Sequence, residues 1–277
     1  MSLVTKQIPL LLSSAVENGA INKTDDGSEF TASLDNEDIF VPSEAINCSL
    51  FVQDAEYSFT FPNIRPGVNN TIRINYDDGI NPVFVMDIEI PKGLYGISEL
   101  DYELQYLMLN YPNYPESEPL FSLIGQVATQ KTNILFNYSG VSIDFTSSDS
   151  LADILGFNRA ILPLGGSVAG ITLVGERIAQ FNTLKYILIS CDLCDNGFAN
   201  NNTYDFYVCR SLIDGSPGSQ ILYQPQIKYK VPATNLVGKK LSRTRVKLLD
   251  DKGKDIDTNE EDYSIQVIIE YQIFADV

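Results

Sequence analysis

Apolar and polar residues alternate with a period of two along most of this chain. In PVFVMDIEI (82–90), Phe84, Met86, Ile88 and Ile90 fall on one side and polar or smaller residues on the other. That is the pattern of a half-buried strand. TIRINY (71–76) has the same character and meets it through the turn Asp78-Gly79. Nearer the start, EFTASL (29–34), DIFVP (38–42) and NCSLFVQ (47–53) read as strands. Asp25-Asp26-Gly27, the acidic run 36–38 and Pro42 separate them. Downstream strands are expected in 121–136, 141–145, 183–193, 203–213, 220–232, 239–251 and 264–274. The pattern predicts a mainly β protein of β-sandwich or barrel type.

One segment carries a helical period. Leu100, Leu104, Leu107 and Met108 share a face, which predicts a helix over 98–110. Ser98 is expected as its N-cap, Asp101 as the acid in its first turn, and Ile97 as a staple onto Tyr102. The helix should stop before Pro112, and 111–119, with its prolines, should be a surface loop. A short helical turn is expected over 150–155, capped by Ser150 with Asp153 and stopped by a left-handed Gly156, with Phe157 tucking back.

The glycine-rich stretch LPLGGSVAG (162–170) reads as a linker, because it lacks the Gly-Lys of a phosphate loop and no helix follows it. It suggests a β-rich module over 1–165 holding the capped helix, and a β-sandwich over 166–277, with strands open to exchange between the two. The run Ile8, Leu10, Leu11, Leu12 has two readings. It is either an arm that docks on a neighbouring subunit or the first strand of the chain's own core.

Composition narrows the chemistry. The chain has 277 residues, enough for a core without disulfide or metal support. It has no histidine and no tryptophan. A Ser-His-Asp or Cys-His system and imidazole metal ligands are therefore excluded. The formal charge of −17, from 36 acidic and 19 basic residues, opposes direct contact with nucleic acid. No apolar run approaches the roughly 20 residues of a membrane span.

The four cysteines are Cys48, Cys191, Cys194 and Cys209. Cys191-x-x-Cys194 has no second pair at zinc spacing, so reduced thiols in a reducing compartment are expected. Asp192, Asp195 and Asp205 are hydrolase candidates only because they are acidic and near one another in sequence, and in so acidic a chain such grouping is ordinary. Asp255-x-Asp257-x-Asn259 imitates the start of a calcium loop. Its sixth position is Glu260 rather than glycine, so a solvated hairpin tip is the plain reading and cation binding stays open. Five N-x-S/T sequons, at Asn22, Asn47, Asn69, Asn137 and Asn201, carry no inference in a chain so rich in these residues. No catalytic, cofactor-binding or metal residue is assigned, and a non-enzyme without cofactors is expected.

FPNI with NN downstream (61–70), IPKGLYGISELDYEL (90–104), ATQKTNILF (128–136) and SLADILGF (150–157) together resemble virion proteins. The match is to minor capsid, penton and spike proteins of tailless icosahedral viruses with jelly-roll capsids: virophages, polinton-like viruses and membrane-containing phages. The region from ISCDLCDNG to the last strand is similar to the same group. The resemblance implies jelly-roll/β-sandwich type domains and a penton or vertex/spike subunit that forms a homo-oligomer, pentamer or trimer. Its implied partners are the major capsid protein or other virion proteins, and a host receptor. Its implied place is the virion, assembled in the host cytoplasm. The alternative is a receptor- or carbohydrate-binding β module of an attachment fibre, with Tyr111 and Tyr114 stacking on the ligand.

Overall fold

The computed structural model describes residues 2–34, 39–181, 184–195, 197–198 and 204–275. The chain opens with β1 (Leu3–Ser13), β2 (Ala20–Ile21), β3 (Glu29–Ser33) and the long β4 (Ile46–Ser58). It continues with β5 (Thr71–Tyr76), β6 (Phe84–Glu89), α1 (Ile97–Leu109), β7 (Phe121–Gln126) and β8 (Lys131–Phe136). Then come β9 (Val141–Asp144), α2 (Ala152–Leu155), β10 (Ile161–Leu162) and β11 (Thr172–Val174). After these lie β12 (Tyr186–Cys191), the short pair β13 (Gly197–Phe198) and β14 (Tyr204–Asp205), and β15 (Tyr207–Leu212). The last strands are β16 (Gln220–Tyr223), β17 (Val231–Pro232), β18 (Arg243–Leu249) and β19 (Ser264–Phe274). The protein is mainly β.

Two units form. One is Met1–Phe61 with Leu184–Val277, and the other is Pro62–Thr183. The first holds two five-stranded sheets, β1-β19-β4-β16 (with β17 also on β4) and β15-β12-β18-β3-β2. Its eight principal described strands, in chain order, are β1, β3, β4, β12, β15, β16, β18 and β19. The first pairs with the eighth, the second with the seventh, the third with the sixth and the fourth with the fifth, all antiparallel. β19 also pairs with β4, and β12 with β18. That nested pairing is a jelly roll. Leu50, Val267 and Ile269 from one sheet meet Phe30, Ile187, Ile189, Val246 and Leu248 from the other in a single core.

β1 resolves the two readings of the N-terminus in favour of the core strand. It pairs with β19 from Leu3↔Phe274 to Ser13↔Ser264. Leu10 and Leu12 are buried, Ile8 packs at the core margin, and Leu11 points outward at 71% exposure. Strand alternation places the leucines on opposite faces, and β19 supplies the main-chain partners that an arm would have sought from a neighbour.

The second unit has sheets β10-β9-β5-β6 and β11-β8-β7, with α1 against β6 and β7. Leu100, Leu104 and Met108 are fully buried, and Leu107 packs beside them. The helix start differs from the expectation. Gly96 is the N-cap, with no side-chain cap bond. Tyr102 is 73% exposed, so it makes no staple with Ile97. Asp101 instead accepts the Leu123 main-chain N–H at 2.6 Å and a Gln105 amide proton at 2.7 Å, fastening α1 to β7.

α2 ends at Gly156, whose φ of 77° is left-handed, and Phe157 stacks on Phe145 at 5.4 Å. Ser150 donates to the Phe145 carbonyl rather than capping, and Asp153 pairs with Arg159 and Arg177. The run 121–136 is a hairpin, not one strand, with β7 and β8 paired across its turn. In 38–42, Phe40 forms an isolated bridge to Lys240, and 36–38 lie outside the described residues.

The expected division at 165/166 is not where the chain divides. Ser167 N–H donates to the Val141 carbonyl at 2.8 Å, Gly140 N–H to Ser167 at 2.9 Å, and Gly170 N–H to Phe136 at 2.8 Å. The glycine-rich stretch is thus bound into the second unit. The first 61 residues join the C-terminal strands because β4 finds its neighbours in β16, β17 and β19.

Candidate functional site

The residues singled out for chemistry are occupied by structural work. Cys191 ends β12 in the core, and its Sγ lies 3.5 Å from Thr244 Oγ1. The Cys194 thiol donates to the Cys191 carbonyl at 3.2 Å. Burial pushes the Cys191 thiol up to about 11 and the Cys194 thiol up to about 12, so neither is a thiolate near neutrality. All four cysteines are free thiols.

Asp192 accepts from Thr244 Oγ1 at 2.7 Å and from Arg245 N–H at 2.9 Å. Asp195 accepts from the Thr234 hydroxyl at 2.7 Å and from the N–H groups of Thr234 and Asn235, both at 3.1 Å. Burial pushes the Asp195 carboxyl up, but these hydrogen bonds outweigh it and hold it low. The two carboxylates therefore fasten separate turns. The Asp205 side chain lies outside the described residues.

In the acidic tip, Asp257 accepts the Asn259 N–H at 2.9 Å, and Asn259 and Glu260 take φ of 58° and 66°. Among the described residues no group of three or more Cys, Asp or Glu side chains is arranged to hold a metal ion. Tyr111 and Tyr114 are not free to stack on a ligand. Tyr111 sits edge-on to Phe84 at 6.1 Å, Tyr114 donates to the Glu118 carbonyl at 2.7 Å, and both pack on the core of the second unit.

Two features were not read from the sequence. The first is a cavity of about 770 Å³ within the second unit. The start of α1 supplies Ile97 and Ser98, the end of β7 and the residue after it supply Leu123 through Val127, and Gln130, Lys131, Thr132 and residues 179–181 complete the lining of a cavity that opens to solvent. Gly125 lets α1 approach, since a Cβ there would stand 3.0 Å from Ile97 Cγ2. Among the described residues no carboxylate lines this cavity, and the one cation, Lys131, donates to the Glu176 carbonyl at 3.2 Å. The Thr132 hydroxyl is buried without a hydrogen-bond partner.

The second feature is a pair of open sheet ends. β1 and β16 are the outer strands of one sheet in the first unit. Leu3, Val4 and Leu11 are exposed on β1, and Leu222 on β16, with Ile227 and Tyr229 exposed on the segment after it. Lys228 and Lys230 lie 5.2 and 5.9 Å from the Phe51 ring, so their stems cover that ring.

No family model and no curated protein sequence matches the chain. Among solved structures, the crystal structure of selenomethionine-labelled mavirus penton protein is similar to it. The likeness covers 96% of this chain and 99% of that one, at 10% sequence identity and a TM-score of 0.48.

Proposed function

We propose that this chain is a capsid structural subunit of the penton or vertex kind, acting by self-assembly and by docking to other capsid proteins. The observation that carries the reading is the nested jelly-roll pairing of the first unit, an architecture used by viral capsid domains. The sequence resemblance to virion proteins points the same way. The open ends of the β1-to-β16 sheet, with their exposed Leu3, Leu11, Leu222 and Tyr229, give the subunit surfaces on which a closed ring can be built. The reading includes the absence of turnover. Asp192, Asp195 and the paired cysteines are engaged in turns and core, and histidine is lacking.

Light scattering of the purified chain tests it. A pentamer is expected for a penton, and a trimer would move the assignment to a spike. A chain that stays monomeric at high concentration, alone and with a candidate capsid partner, would overturn the proposal.

A further inference from the structure

We infer that the cavity in the second unit is a binding site for a neutral saccharide. Its volume of about 770 Å³ falls among small-ligand sites, roughly 300–1,000 Å³. Among the described residues no carboxylate lines this cavity, in a chain with 36 acidic residues, so nothing described there selects a cationic ligand. Lys131 is the only charge among the described lining residues; it stays cationic while donating to the Glu176 carbonyl, and a single point charge with no second cation or bidentate fork beside it gives little selectivity for an anion.

What remains is amide, hydroxyl and apolar surface. Gln130 and Gln180 each carry a carbonyl acceptor beside two N–H donors, and Gln126, whose Oε1 already takes the Thr129 hydroxyl at 2.7 Å, adds its N–H donors; this combination matches neighbouring sugar hydroxyls. Ile97, Leu123 and Phe181 provide an apolar wall for the C–H face of a sugar ring. The strand edge adds main-chain groups. Leu123 N–H turns away from β8 to reach Asp101, so two residues on the N–H and C=O of Gly125 also face away from β8. Glycine places no side chain over them. The inference stands apart from the capsid proposal, since it concerns a cavity within one unit of one chain.

Saturation-transfer NMR on the full-length chain tests it, with glucose, galactose, N-acetylglucosamine, lactose and sialyllactose as probes. Transfer to at least one neutral sugar is expected, with amide shifts at Gly125 and Gln180. The variant pair Gln180→Ala with Gln130→Asn should weaken that binding at least about tenfold with an unchanged circular dichroism spectrum. Asn at 130 keeps the left-handed backbone, φ 54°, while withdrawing the amide. Val16→Ala, at a 70% exposed position in the other unit, should leave binding unchanged. The site assignment is overturned if no neutral sugar shows transfer, if only sialyllactose does, or if binding survives the paired substitution. Light scattering of the same samples reads assembly separately, so a failure here leaves the capsid proposal to its own test.

Discussion

Asp101 shows how a residue can be identified correctly as important for a different reason. Its place in the first turn of α1 suggests an acid serving the helix dipole. Its carboxylate in fact takes the main-chain N–H of Leu123, 22 residues downstream, and no local pattern reveals a partner so far along the chain. Asp101→Ala should leave that N–H unpaired beside the buried Leu123 side chain and cost about 1–3 kcal/mol. Urea unfolding checks this, with a lower midpoint at an unchanged slope as the expected result. Reduced, part-buried thiols were the expectation, and their depth came only with the fold. Spacing alone suggested Cys191-x-x-Cys194, and only the folded chain shows both sulfurs in the core.

The strands were the legible part. TIRINY became β5, and 264–274 became β19, because each alternation has one face to bury. The β7–β8 turn was missed because Val127–Gln130 contains neither glycine nor proline, and Gln130 itself adopts the left-handed φ of 54°. β1 was legible only as an apolar run, since its role depends on which strand receives it. Removing residues 1–13 should unfold the first unit rather than yield a folded, assembly-deficient protein. Burying Leu10 and Leu12 alone is worth roughly 3–6 kcal/mol, and β19 would lose one of its two neighbours, β4 being the other, along its whole length. Calorimetry of the truncated chain, with loss of the first unit's cooperative transition, is the check.

Charge ties the same elements together. Lys230, and Gln7 at 2.8 Å, hydrogen-bond Glu270 on β19, and Lys230 first among them holds its carboxyl below a glutamate's ordinary 4.5. A lowered folded value means stability present above 4.5 and lost as pH falls through the folded value. Glu270→Gln should therefore melt earlier than the parent at neutral pH, and the gap should close in acid. Thermal midpoints across that range measure it.

At the scale of the whole molecule, alternation could announce strands but not their partners. Nothing in a period of two says that the first strand pairs with the last, and glycines that tighten turns within the second unit resembled a linker. The second unit has its own core, from Ile64 through Phe157, and leaves the jelly roll after β4 and before β12. Residues 62–183 produced alone should fold cooperatively, with exchange-protected amides at β5 and α1. A fragment without a melting transition would contradict this. The pairing of β1 with β19 also orders events during synthesis. At roughly 5–20 residues per second, β1 leaves the ribosome on the order of tens of seconds before its only ladder partner exists. Its leucines must wait, exposed, while the inserted unit has everything it needs to finish. A ribosome that stops short of residue 264 therefore releases a chain with one completed unit and a jelly roll that cannot close.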